Sequence, residues 1–118
     1  MAVLSCLNDP DNSPHLTAFK SLRLVMMGSP FSHIYQHYFR HHYPSLADPE
    51  RWGTLHKVLD PKDGKRWLNV YRVDDYVGRR IEDDDKGLIE NVMVAQYGHT
   101  NYWSDGVVMG VLVGKNVF

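Results

Sequence analysis

Two acids and one histidine carry the chemistry in this sequence. Asp74 and Asp75 directly follow the run "RWLNVYRV" at 66–73, and His99 stands between Gly98 and Thr100 in "GHTNYW" at 98–103. A carboxylate beside an imidazole is the acid and base part of a serine hydrolase. The ring takes the nucleophile's proton, while the carboxylate fixes the ring's tautomer and offsets the charge that develops on it. The chain order, acid before histidine, matches the last two members of the α/β-hydrolase series serine, acid, histidine. Taken singly, the same residues have ordinary uses: acids after a strand cap helices or close turns, and a histidine after glycine decorates a loop.

For the two groups to meet, the elements carrying them must end at one rim. In an α/β sheet, side chains leaving the carboxyl ends of the strands converge on a shared crevice. "RWLNVYRV" reads as one such strand, with Trp67, Val70, Tyr71 and Val73 placing apolar side chains on both faces. "LRLVMMGSP" reads as another, a short apolar run from Leu22 to Met27 closed by Gly28 and Pro30, as in a parallel strand covered on both faces. "IENVMVAQY" is the third. "AVLSCL" reads as the tail of a helix, stopped by the two prolines of "NDPDNSPH". Ser32 is predicted to cap a helix through "HIYQHYFRHHYP" whose apolar face is Ile34, Tyr35, Tyr38 and Phe39, with Pro44 ending it. Asp48 and Pro49 open another helix carrying Trp52, Leu55, Val58 and Leu59. "DPKDGK" turns the chain, Glu82–Asp85 forms a solvated loop, and Ser104 or Asp105 caps a last helix through "GVVMGVLV" that Gly114 ends, with strand the competing reading because of the β-branched residues and Gly110. The prediction is an α/β fold of about three mostly parallel strands with crossover helices, in a single domain over 1–118.

The totals fit one soluble core. The chain has 118 residues, of which 43% are hydrophobic and 23% charged. Thirteen basic and 14 acidic side chains leave a net charge of −1, so no field favours nucleic acid or an anionic membrane. No apolar run approaches the ~18 residues of a membrane span. Cys6, the single cysteine, excludes a disulfide within the chain and favours a reducing, cytoplasmic compartment.

In combination, "LVMMGSPFSHIYQHYF", "WLNVYRVDDYVGRRI" and "GHTNYWSD" resemble the C-terminal half of a lipase-like α/β-hydrolase, of the class 3 lipases and their bacterial relatives. The resemblance runs from about Leu4 to Val113. It implies that Asp75 is the triad acid, in the turn Asp75-Tyr76-Val77-Gly78, with Asp74 its neighbour. It further implies that His99 is the base with Tyr102 and Trp103 packing behind it, and that Gly28 and Ser29 line the crevice. The Gly-x-Ser-x-Gly elbow that would expose a nucleophile is missing from the chain. Ser104-Asp105-Gly106 follows His99 in the wrong order, and Ser29 precedes a proline where an elbow helix would begin. "AVLSCL" resembles the helix that follows the elbow, so the serine is expected shortly before Met1 and the chain alone is expected to be inactive toward esters. No cofactor is expected, and the expected partner is a complementary hydrolase segment or a second copy. The alternative is a noncatalytic binding or assembly domain derived from the same scaffold.

His33, His37 and His41 recur every four residues and would share one face of a helix. Neutral imidazoles so placed can grip zinc. The competing reading is an exposed polar face opposite Ile34, Tyr38 and Phe39, and it leaves the chain without a metal.

Overall fold

The protein is described by a computed structural model covering residues 2–19, 22–59, 67–82, 87–95 and 97–117. The predicted turn at 60–65 and the acids Asp83–Asp85 lie outside the described residues. In chain order come α1 (Ala2–Asn8), α2 (Ser13–Thr17), β1 (Leu24–Met27), a π-wound segment (Phe31–Gln36), α3 (Pro49–Val58), β2 (Trp67–Arg72), β3 (Ile89–Val94), a 3-10 turn (Tyr102–Ser104) and α4 (Gly106–Gly114).

The three strands form one sheet in the order β1-β2-β3, and both pairings are parallel, so the fold is α/β. Leu24 faces Trp67 and Trp67 faces Ile89, while Val70 lies between Met27 and Val92. Alternation then divides the side chains between two layers. Trp67 and Ile89 join Leu4, Leu7, Phe31, Trp52, Leu55, Val58 and Leu59 on the α1/α3 face. Leu68, Val70 and Val94 join Tyr102, Val108 and Leu112 on the α4 face. β1 is an edge strand, which is why its four residues are half-buried; Leu24 and Met26 pack on one layer, and Val25 and Met27 on the other.

Asp48 caps α3 as the sequence predicts: its Oδ1 accepts from the Glu50 and Arg51 N–H groups at 3.0 and 3.3 Å, a contact worth about 1 kcal/mol in typical helices. The helix predicted to start after Ser32 is built differently. It begins at Phe31, makes an i→i+5 bond from Tyr35 N–H to the Pro30 carbonyl, and has no side-chain cap of its own. Ser29 Oγ accepts from Phe31 N–H at 3.3 Å instead, while Ser32 Oγ donates to Gln36 Oε1 at 2.6 Å and accepts from Glu82 N–H at 2.9 Å. The buried ring is Phe31, edge-on to Trp52 at 5.9 Å; Tyr38 and Phe39 are exposed. A segment this short has room to bury only its first turn.

Candidate active site

β2 ends at Arg72, and a tight turn brings Asp75 N–H back to the Arg72 carbonyl at 3.3 Å. The Asp75 carboxylate is fully buried. Its Oδ1 accepts from the Val77 and Gly78 N–H groups at 2.9 and 2.8 Å, closing the turn on itself. Across the sheet end, the loop after β3 turns through Gly98 and Asn101, both at positive φ, and presents His99. His99 Nδ1 lies 3.0 Å from each Asp75 oxygen. An ionised carboxylate only accepts, so Nδ1 carries the hydrogen and Nε2 is left as the basic nitrogen. The imidazole side chain is 41% exposed while its acid is sealed.

Tyr102 adds a further donor. Its hydroxyl donates to Asp75 Oδ2 at 2.9 Å and accepts from Arg72 N–H at 3.1 Å, so both of its roles are occupied. Burial, with the Asp75 carboxylate against it, holds this phenol far above its usual range and keeps it a donor. Burial by itself raises the Asp75 carboxyl, but the Gly78, His99, Tyr102 and Val77 donors together outweigh it and hold the group below its ordinary 3.8.

Sequence reasoning missed Arg72. Its guanidinium is buried on the α4 face, and Nη1 donates to the carbonyls of Tyr97, Gly98 and Thr100 at 3.3, 3.1 and 2.6 Å. Nη2 meets Asp105 Oδ2 at 2.6 Å, and the cation stands 4.2 Å from the centre of the Tyr102 ring. Asp105 Oδ1 accepts from Val107 N–H at 2.8 Å and so caps α4. Asp74 Oδ2 accepts from Gly98 N–H at 3.0 Å, so Asp74 clasps the histidine loop rather than facing a crevice. Together these bonds tie the His99 backbone to the end of β2 and the start of α4. A signal was present in the sequence: Leu68, Val70 and Arg72 alternate onto one face, and a charge in line with two core residues needs a buried partner.

Comparison with known protein families, characterised proteins and solved structures finds no match to this chain. The site is therefore read from its own geometry. Gly28, at φ +60°, abuts the acid: a Cβ there would sit 2.8 Å from Asp75 Oδ2 and 2.9 Å from Tyr102 Cε2. Ser29 is buried, and its hydroxyl serves Phe31 N–H. Trp103 was expected behind His99 with Tyr102, but it is 72% exposed. The 3-10 turn carries Tyr102 inward and the next side chain out. Of the two predicted caps of the last helix, Asp105 is the one that caps α4 and carries the ion pair, while the Ser104 hydroxyl donates back to the Asn101 carbonyl at 3.3 Å within the 3-10 turn. His33 and His37 are exposed, and His41 lies in the turn beyond the helical residues, so the three do not share a helix face. Among the described residues no group of three or more His, Cys, Asp or Glu side chains gathers as metal ligands. None of the described helices is long and apolar enough to cross a membrane.

The two depressed carboxyls set an acid limit. Asp105 is held low first by Arg72 and then by the Val107 N–H. A folded-state value below the unfolded one means stability that is complete above the ordinary carboxyl range and lost as pH falls through the lower folded value. Thermal melts between pH 7 and 2 are expected to show stability dropping below about pH 4. Asp75→Asn is expected to flatten that drop. An unchanged slope in the variant would reject this assignment.

Proposed function

We propose that the chain supplies the acid and base of a lipase- or esterase-like Ser-His-Asp hydrolase, acting on a serine carried outside these 118 residues. Asp75 orients His99. His99 Nε2 takes the serine proton as the hydroxyl attacks the ester carbonyl, then returns a proton to the departing alcohol. The observation that carries the reading is the sealed carboxylate with Nδ1 at 3.0 Å from both oxygens and the ring side chain still 41% open. Two further features support it: acid and base leave the carboxyl ends of neighbouring parallel strands, and Gly28 clears the space beside the acid.

The test uses the in-frame product that adds upstream sequence containing a Gly-x-Ser-x-Gly segment. It is expected to hydrolyse a short-chain aryl ester saturably, with loss of turnover in His99→Ala, while the 118-residue chain shows none. His99-dependent turnover by the short chain would place the nucleophile inside it and refute the division of labour. A longer product without His99-dependent turnover would favour the alternative, a noncatalytic assembly domain that pairs with a second copy or a complementary segment. That alternative draws on the rim itself, where Tyr76, Tyr97 and Trp103 are 74%, 71% and 72% exposed.

A further inference from the structure

The histidine-bearing segment and the loop beyond Gly78 meet at a surface cavity of about 320 Å³, lined by Ser32, His33, His37, Arg79, Arg80 and Glu82. We propose that this cavity binds a phosphate group, held between the Arg79 and Arg80 guanidiniums and the His33 and His37 rings. The site is separate from the Asp75–His99 pair and does not depend on the hydrolase reading.

Charge selects the ligand class. Among the described lining residues two permanently charged guanidiniums stand with one carboxylate, Glu82, a balance that favours an oxyanion over a metal cation. Guanidinium forks match the oxygens of phosphate, and imidazole N–H groups add donors at the same wall. Among the described residues neither guanidinium is engaged in an ion pair.

The backbone that carries the two arginines is fixed from behind, which lowers the ordering cost of the loop on binding. Arg79 N–H donates to the Ser29 carbonyl at 3.1 Å, and the Arg79 carbonyl accepts from Asn69 Nδ2 at 3.0 Å. Asn69 is fully buried in β2, and its Nδ2 also reaches Asn91 Oδ1 of β3 at 2.9 Å. Asn91 in turn holds both the N–H and the carbonyl of Ile81, each at 2.9 Å. Glu82 N–H closes the circuit on Ser32 Oγ at 2.9 Å, joining the loop to the histidine segment. Buried Asn69 and half-buried Asn91 thus set the course of an exposed loop whose side chains at 79 and 80 are both basic. The volume is near the low end of the roughly 300–1,000 Å³ typical of ligand pockets, and it leaves room for a small organic group on the phosphate.

The experiment titrates the isotopically labelled 118-residue chain with inorganic phosphate and, separately, phenyl phosphate. Ring signals of His33 and His37 and side-chain N–H signals of Arg79 and Arg80 are followed at fixed ionic strength. Saturable shifts confined to these residues are expected, with affinity at least tenfold weaker in the double variant Arg79→Gln/Arg80→Gln. Tighter binding of phenyl phosphate would assign a phosphomonoester; equal binding would assign the free ion. Non-saturating shifts, or the same shifts with chloride, would overturn the site. So would an affinity indifferent to the double substitution.

Discussion

In the hydrolase proposed above, with its serine supplied, Asp75→Asn is expected to lower turnover by about ten-thousandfold, with the fold retained. The geometry gives the reason. The amide oxygen of the variant would keep the place of Oδ1, accepting from the Val77 and Gly78 N–H groups. The amide nitrogen would then replace Oδ2, facing His99 Nδ1 and the Tyr102 hydroxyl. A donor at that point favours Nδ1 as acceptor, which moves the ring hydrogen to Nε2 and leaves no base toward the serine; the oxygen at the Oδ1 position, already holding two backbone N–H groups, is the one acceptor left for Nδ1–H. Turnover of a short-chain aryl ester is the readout, with a low-field Nδ1 proton resonance present in the parent and missing in Asp75→Asn. A loss of less than about tenfold would mean that the carboxylate does not set the tautomer during the reaction.

Gly78→Ala is expected to cost more than about 3 kcal/mol and to lower the melting temperature by roughly 10 °C or more. A Cβ at Gly78 would stand 2.0 Å from the Gly28 carbonyl carbon and oxygen and 2.3 Å from its Cα. All three are backbone atoms, with no flexible side chain to move aside. Relief therefore requires the 75–78 turn to part from the end of β1, which shifts Asp75 relative to Tyr102 and His99. Gly53→Ala in α3 is the control, since a Cβ there meets nothing within 4 Å and alanine favours helix by roughly 0.8–1 kcal/mol. Calorimetry of the two variants should move in opposite directions. A Gly78→Ala protein as stable as the parent would refute the close approach.

The sequence made the Asp75–His99 contact legible because parallel strands leave few choices: residues that follow two such strands share a rim. Asp75 and His99 needed only correct strand assignments at 67–72 and 89–94. The supports were harder to see. Arg72 reads as the polar end of a strand until the register places it in line with Leu68 and Val70 above α4. Asn69 and Asn91 look like scattered polar residues until the pairing sets them opposite each other. Tyr102 was visible as a bulky packing residue, whereas its bond to the acid depends on where the turn after His99 points. The helix beginning at Phe31 was misjudged because helical periodicity was extended past Tyr38, where helix gives way to turn. Apolar spacing alone does not show how far a helix runs.

The histidine loop is gripped through the carbonyls of Tyr97, Gly98 and Thr100. Every amino acid offers that oxygen. Position 100 can therefore exchange its side chain with the imidazole left in place, whereas Gly98 and Asn101 are tied to their left-handed backbone and the Tyr97 ring stands 5.7 Å from the Arg72 guanidinium. The rim thus has an anchored centre and a border in which one side chain is open to change without cost to the loop's position.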